Sequence, residues 1–294
     1  MMKRLQALVI IFISVSLLNF CLAQDSTLEA ALKDLKHSYF KASASYLSDA
    51  VYLGRKDSVK VPYLTPTFGY YSRSGIFFTA SASYLSTEKR IDGYSLGSGY
   101  MFASKKWTGE LTANKYFYSN QSYSVKSEVK ADAAVELAYD AGPIEMDISA
   151  TASFSGSTDV ATSFGLDHAF SVMDDQMEIT PTFITNGGTQ NYYDAYYRKR
   201  RYIKKRKGNL PPRTISAYTL NPGSFRILDY EASLPVEYDV NKFAFSFTPT
   251  VAFPVNPNTV VRTVQPVGGI AVTKTFTEKI NNSFFWSLEM DYKF

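Results

Sequence analysis

The sequence predicts an all-β chain that closes into a transmembrane, antiparallel, up-and-down β-barrel of about 12 strands, with 10 or 14 as alternatives. Three observations predict it. Apolar and polar residues alternate with period two from about residue 40 to the end, the alternating segments are about 11–15 residues long, and their polar faces carry many ionised side chains. Soluble strands usually have five or six residues, and charges inside a dry sandwich are costly. A wet barrel interior accommodates both features.

The chain begins with a predicted signal peptide over residues 1–23. Lys3-Arg4 precedes an apolar run, and Cys21-Leu22-Ala23 resembles a small-residue cleavage site. The run is nearly long enough to be a membrane anchor, but the cleavage site that follows it at once favours removal. Phe20 is too bulky for lipoprotein processing at Cys21. The predicted mature chain starts at Gln24 and contains no cysteine.

A short helical segment is predicted over residues 24–39, before the barrel at 40–294. Ser26 and Glu29 form a capping box at its start. Leucine and alanine side chains then recur at helical spacing, at positions 28, 31, 32 and 35. The segment is too short to be more than a local element.

Three segments show the strand alternation most clearly. In residues 281–294 the apolar face is Phe284, Trp286, Leu288, Met290, Tyr292 and Phe294. In residues 125–140 it is Val125, Val129, Ala131, Ala133, Val135, Leu137 and Tyr139, and in residues 144–155 it is Ile144, Met146, Ile148, Ala150, Ala152 and Phe154. Aromatic residues lie at the ends of these faces, as in the girdles of membrane barrels, and no Lys, Arg, Asp or Glu lies on them.

The alternation predicts twelve strands, an even number that returns both termini to one side. They lie near 40–54, 59–72, 75–87, 92–103, 107–118, 124–140, 144–157, 160–173, 176–186, 224–240, 242–255 and 281–294. Tight turns connect them on one side, and long loops near 187–223 and 256–280 lie on the other. Pro66, Pro181 and Pro249, each in a Thr-Pro-Thr triplet, fall inside predicted strands and predict bulges or bends there.

The C-terminal segment "WSLEMDYKF" resembles the insertion signal of Gram-negative outer-membrane β-barrels, with Trp286, Tyr292 and Phe294 as its aromatic residues. The resemblance implies an outer-membrane location after export by the signal peptide, contact with outer-membrane lipid and lipopolysaccharide, and recognition by the barrel-insertion machinery. It implies no particular activity. The short turns and the segment 24–39 then face the periplasm, and the long loops face outward.

The polar faces predict the residues that line the lumen. They are Lys126, Glu128, Lys130, Asp132, Glu136, Glu145, Asp147, Glu178, Glu237, Glu289 and Asp291. The carboxylates among them from Glu145 onward lie toward the periplasmic half. They offer oxygen ligands of the kind that Ca²⁺ takes, but strand geometry spreads them around a circumference, so we predict a hydrated acidic vestibule and no metal or cofactor.

The loop near 187–223 holds two basic quartets after four tyrosines. The quartets are Arg198, Lys199, Arg200 and Arg201, then Lys204, Lys205, Arg206 and Lys207. Residues 194–213 carry nine Lys or Arg against one Asp, more positive charge than the net +4 of the whole chain. On an exposed barrel loop this charge predicts binding to lipid phosphates, acidic sugars or an acidic protein rather than nucleic acid. Folding into the acidic lumen and a solvated loop are the other two readings.

The predicted mature chain contains few side chains of the types that carry out catalysis, and the sequence predicts a protein that is not an enzyme. The mature chain has two histidines, His37 and His168. Asp167, His168 and Ser171 are the candidate hydrolase residues, but neighbouring strand residues point to opposite faces and cannot converge.

Two functions remain open from the sequence. The first is a narrow passive channel for small solutes with a slightly cation-favouring lumen. The second is a structural or accessory barrel in a larger outer-membrane assembly, which uses the basic loop to bind lipid phosphates or a partner protein.

The signal-peptide hypothesis predicts a mature N-terminus at Gln24 and no lipid on Cys21. Intact-mass and N-terminal peptide mass spectrometry of the purified protein measures both. An unprocessed N-terminus, or a diacylglyceryl adduct on Cys21, contradicts the hypothesis.

Overall fold

The computed structural model describes residues 36–57, 59–173, 176–203, 213–266 and 268–294. The predicted signal peptide and most of the predicted helical segment 24–39 lie outside this range, although Tyr39 already belongs to the first strand. Of the helices in the described residues, none combines the length and apolarity needed to cross a membrane.

Twenty strands, one α-helix and one 3-10 turn make up the described chain. The strands are β1 Tyr39–Leu47, β2 Val51–Tyr52, β3 Arg55–Lys56, β4 Tyr63–Tyr71, β5 Ile76–Leu85, β6 Arg90–Ser104, β7 Trp107–Tyr118, β8 Ala131–Asp140, β9 Glu145–Phe154, β10 Thr158–Asp167, β11 Phe170–Val172, β12 Met177–Ile179, β13 Thr182–Gly188, β14 Arg213–Thr219, β15 Arg226–Ser233, β16 Val236–Val240, β17 Phe243–Pro254, β18 Thr259–Pro266, β19 Val272–Thr277 and β20 Ser283–Lys293. The 3-10 turn is Val125–Glu128, and helix α1 is Asn191–Ile203.

The strands close into an antiparallel barrel with twelve positions around its circumference. We call each position a stave, because some of them consist of two strand segments in line. Nine staves are single strands, and three consist of two consecutive segments, β10–β11, β12–β13 and β15–β16. β20 pairs with β17 on one side and with β1 on the other, so the last strand closes onto the first. The prediction of a closed barrel with twelve strands is confirmed, and β7 has the bounds predicted from its alternation.

Several strands are shorter than predicted. The segment assigned to 40–54 leaves the barrel after Leu47, because β2 and β3 form a separate hairpin, and the segment assigned to 59–72 enters it at Tyr63. The segment assigned to 124–140 enters the barrel only at Ala131, because residues 125–128 form the 3-10 turn of an outer loop. Val125 and Val129 are 1% and 0% exposed and pack against tyrosines of α1. Their assignment to the lipid-facing surface was wrong, because the tyrosine cluster offers them a buried apolar environment inside the barrel mouth.

The prolines interrupt hydrogen-bond ladders locally. Pro181 lies in the gap between β12 and β13, and Pro66 lies where the β4–β5 ladder skips two residues. Pro249 pairs with β20 and faces, on its other side, the break between β15 and β16. Proline has no N–H to donate, so the neighbouring strand loses its partner there. The register shifts of the barrel lie elsewhere, at Ser83/Tyr84 and Asn186/Gly187.

The pairing register separates two chemically different surfaces. Large apolar side chains point outward and are exposed on the staves, with aromatic residues toward both ends, such as Phe40 and Trp107 at the short-turn end and Phe117 and Phe284 at the other. This surface matches the lipid-facing band and aromatic girdles of a membrane barrel. Hydroxyl, amide and charged side chains point into the lumen.

The two long outer loops carry structure of their own. The loop after β13 contains α1 and β14, and the loop after β17 contains β18 and β19. β14, β18 and β19 form a three-stranded antiparallel sheet, and α1 packs against β14. The long loops therefore build a small module over the outer end of the barrel.

The two faces of β20 differ in their tolerance of charge. Leu288 points outward and is 50% exposed, whereas Ser287 shares the inward face with Glu289. We expect Leu288→Arg to impair membrane insertion, since arginine on the lipid face costs about 2–4 kcal/mol at the midplane, and Ser287→Arg to insert normally. Heat-modifiable electrophoretic mobility measures the folded fraction. Equal tolerance of both substitutions contradicts the register.

Candidate functional site

A belt of carboxylates lines the periplasmic half of the lumen. The cross-strand register places them on seven of the twelve staves. They are Glu110, Glu136, Glu145, Asp147, Asp167, Glu178, Glu237, Asp239, Glu289 and Asp291. Several face each other directly across strands, as Glu110 faces Glu136 and Glu178 faces Glu237. The arrangement concentrates negative charge in one zone.

One ion pair partly neutralises this belt. The Lys41 ammonium lies 2.9 Å from an Asp291 carboxylate oxygen, at the closure between β1 and β20. Lys41 and Lys293 are the lysines at inward register positions on the described barrel strands. Lys41, Glu110 and Asp167 were not among the predicted lumen residues, although strict alternation along β1, β7 and β10 identifies them.

Three carboxylates of the belt converge on neighbouring strands. Oxygen atoms of Glu145, Asp147 and Asp167 lie within 4.8 Å of one another. Asp147 pairs with Gly165, and Glu145 pairs with Asp167, which brings the three together across β9 and β10. These oxygens are ligands of the type that hard cations take, and the three carboxylates repel one another at this short separation.

The opposite wall is made of small and hydroxyl side chains. On β4, β5 and β6 the inward positions are mainly Ser, Thr and Gly, with Ser81 and Ser95 hydroxyls 2.5 Å apart. Gly99 is required there, because a Cβ at this position would meet the Phe77 ring at 2.4 Å. The lumen is thus asymmetric, with an acidic wall facing a neutral one.

The outer mouth of the barrel contains a plug, which we define as the hairpin β2–β3, the 3-10 turn Val125–Glu128 and the first turns of α1. Its centre is a cluster of buried side chains, Val125, Val129, Tyr192, Tyr193 and Tyr196, and Tyr52, Leu53 and Tyr116 pack against it. Burial raises the pKa of Tyr192 well above its ordinary value, so the phenol stays neutral. Apolar packing of these aromatic rings holds the three segments together across the mouth.

Asp159 of β10 anchors helix α1 to the barrel wall. Its carboxylate accepts hydrogen bonds from the Thr189 hydroxyl at 2.6 Å and from the backbone N–H groups of Asn191 and Tyr192 at 2.7 Å each. A carboxylate at this position satisfies unpaired donors of the first helical turn and favours the helix dipole. The Tyr196 hydroxyl donates to Asp57, which ties the helix to the segment after β3.

The hairpin β2–β3 reaches across to the staves β15 and β17. The Arg55 guanidinium donates to the backbone carbonyls of Val255 and Asn256 at 3.1 and 3.2 Å, and its Nε lies 3.8 Å from Glu278. Gly54 has φ +68°, and a Cβ there would lie 2.7 Å from the Asp229 Cβ. Only glycine fits this close approach in a left-handed conformation.

The three predicted lumen residues before β8 lie at the mouth. The Lys126 ammonium donates to the Tyr116 hydroxyl at 3.0 Å and lies 3.7 Å from Asp132. Burial lowers the pKa of Lys126, and the Asp132 carboxylate opposes that shift. Glu128 is half-buried in the same loop, and Lys130 is exposed at the rim.

The basic loop begins inside α1. Arg198 pairs with Asp194 one turn earlier at 2.7 Å, lies over the Tyr218 ring at 5.8 Å, and has a side chain that is 60% exposed. It therefore faces the outer module, and the part of α1 that enters the mouth is its tyrosine face. Lys199, Arg200 and Arg201 continue the helix, and Lys204, Lys205, Arg206 and Lys207 lie outside the described residues.

The histidine-based hydrolase considered from the sequence has no geometric support. His168 lies on the outward side of the stave and contacts the Phe170 ring edge-on at 4.3 Å, whereas Asp167 and Ser171 point inward. The insertion-signal residues also lie on the outward side of their strand. Trp286 contacts Tyr46 and Phe247, and Tyr292 contacts Phe243 and Phe294.

Removal of the Asp159 carboxylate tests the anchoring of the plug. We expect Asp159→Ala to loosen α1, because loss of an N-terminal cap costs about 1 kcal/mol, or about fivefold in the equilibrium. Limited trypsin digestion in detergent should then cleave α1 about fivefold faster. Asp140→Ala is the matched control, since Asp140 also accepts a backbone N–H, that of Gly142, but at the opposite rim. An unchanged cleavage rate for Asp159→Ala contradicts the anchoring role.

Neither a family model nor a curated protein matches the chain. Among solved structures it is similar to KdgM porin, with 8% identity, 86% of this chain and 99% of that chain covered, and a TM-score of 0.45. For NanC porin the values are 10%, 87%, 100% and 0.43, and for the outer membrane protein Omp33 of Acinetobacter baumannii they are 8%, 88%, 98% and 0.32. The closed strand order and apolar exterior of the chain itself are those of an outer-membrane β-barrel protein.

Proposed function

We propose that this barrel is a non-enzymatic, narrow passive channel for small solutes that favours cations and is constricted at its outer mouth by the plug. The observation that carries the proposal is the carboxylate belt, which covers seven staves and is opposed by Lys41 and Lys293 in the same half of the described lumen. Ionised groups in such numbers are tolerable only in contact with water. A hydrated lumen across the membrane supports the passage of small solutes.

The barrel size supports a small pore. Eight strands leave an interior filled by side chains, and 16–18 strands leave an open aqueous channel. Twelve strands lie between these limits. The inward side chains of the neutral wall are small near its mid-height, such as Ser81 and Ser95, whereas the plug at the outer mouth is aromatic.

Electrostatics favours cations in this lumen. Rings of carboxylates attract cations and repel anions in a pore, and the surrounding low-dielectric wall strengthens the effect. KdgM porin has been solved in complex with oligogalacturonate, a polyanion. The carboxylate belt of this chain would repel such a solute, so we propose small cations as the favoured class.

A second function draws on the outer module. All residues of β19 are exposed, and among the described residues the strand pairs with β18 alone. An exposed strand edge with adjacent positive charge is suited to a partner protein, so the barrel would then be an accessory subunit of an outer-membrane assembly. In that case the lumen need not conduct.

Planar-bilayer recording distinguishes the two functions. In a salt gradient we expect a reversal potential of the sign that indicates cation preference. The triple variant Glu136→Gln, Glu178→Gln, Glu237→Gln should lower the cation-to-anion permeability ratio by roughly two- to threefold, since it removes charge from three staves.

Glu88→Gln is the matched control, because Glu88 is exposed in the outer turn between β5 and β6 and lies outside the belt. Anion preference in the wild-type protein contradicts the proposed selectivity. A protein that conducts neither as wild type nor as Asp159→Ala contradicts the channel and leaves the accessory function.

A further inference from the structure

The lipid-facing surface carries one ionised side chain. Among the described residues of the twelve staves, Lys115 is the single Lys, Arg, Asp or Glu at an outward register position, between Leu96 of β6 and Ala131 of β8. The residue is exposed. A lysine within the apolar band destabilises a barrel by about 2–4 kcal/mol at the midplane and by about 0–1 near the interfaces. The free-energy cost of Lys115 therefore depends on its height along the strand.

Lys115 lies near the outer edge of the apolar band. Trp107 marks the inner end of the same strand, eight residues earlier. At about 3.3 Å per residue and a tilt of about 40°, Lys115 lies roughly 20 Å above Trp107 in a band about 25 Å tall. The paired aromatic residues Tyr94 and Phe117 are the next outward positions, one pleat further out.

The side chain is directed toward the lipid headgroups. The Lys115 ammonium lies 5.9 Å from the centre of the Phe117 ring, on the outer side of its own Cα. This is the snorkelling geometry by which a lysine places its charge at the interface. No carboxylate lies within 4.0 Å of it in the part of the chain that the structure describes, so the protein does not neutralise the charge there.

Lys130 lies on the other face of the wall. It immediately precedes Ala131, the residue that pairs with Lys115, and its backbone carbonyl accepts a hydrogen bond from the Tyr116 N–H at 2.8 Å. Neighbouring strand residues point to opposite faces, so Lys130 shares the inward parity of Tyr116 and does not join Lys115. The ammonium group of Lys115 and the apolar surface of Leu96 and Phe117 thus adjoin at the level of the outer interface.

We propose that Lys115 binds the phosphate of an outer-leaflet lipid whose acyl chains lie against Leu96 and the Tyr94–Phe117 pair. The occupant is a lipid and not a soluble anion, because the outward face of β7 is in contact with the membrane. Phosphate supplies the negative charge that the protein lacks at this place, and the apolar side chains below it supply the surface for the chains. This site is independent of the channel function.

Native mass spectrometry of the detergent-solubilised full chain with bis-phosphorylated lipid A tests the site. We expect Lys115→Met to weaken binding of this lipid about fivefold, the effect of one lysine near a charged interface. Lys115→Arg should bind as the wild type does, and so should Lys130→Met, because Lys130 has the opposite parity. Dephosphorylated lipid A should bind the wild type about as weakly as the phosphorylated form binds Lys115→Met.

Lys274→Met is the matched control, because Lys274 is exposed on β19 in the outer module, away from the lipid-facing wall. Heat-modifiable mobility confirms that each variant is folded. Wild-type affinity in Lys115→Met, equal binding of the two lipid forms by the wild type, or an equal loss in Lys274→Met would each overturn the proposal.

Discussion

The hydrogen-bond ladder between the first and last strands is the constraint on which the rest of the structure depends. Inside a bilayer no water is present to satisfy a free strand edge, so a spanning sheet must close on itself. Seven consecutive residue pairs, from Lys41 with Lys293 to Leu47 with Ser287, make this closure. It fixes an inside and an outside, and every side chain on the twelve staves is then assigned by parity to one of them.

Outward and inward side chains of the barrel meet two different environments, lipid and water. Outward positions meet lipid, where aromatic residues at both ends set the height of the barrel and Lys115 is the single ionised exception among the described staves. Inward positions meet water, where carboxylates accumulate in the periplasmic half. The ion pair of Lys41 with Asp291 lies at the closure itself and links the seam of the barrel to the charge of the lumen.

The segments in the outer mouth are held by different interactions from those that hold the barrel wall. Its segments are held by aromatic packing and by carboxylates that accept hydrogen bonds from the plug, as Asp159 does for α1 and Asp57 does for Tyr196. Tertiary contacts of this kind open with smaller free energies than the barrel ladders, because few residues must move. In the proposed channel, the wall therefore sets which solutes the lumen favours, and the plug sets how wide the outer entrance is.

The sequence by itself determined the strand number, the two faces and the membrane location, because period-two alternation is a local property that needs no knowledge of distant neighbours. Most inward carboxylates follow from the same rule. The tertiary structure alone decided the plug. Val125 and Val129 continue the alternating pattern of β8, yet they pack beneath Tyr192, and Arg55 binds a carbonyl 200 residues away. Such contacts depend on where closure places the loops, and no local pattern encodes that position.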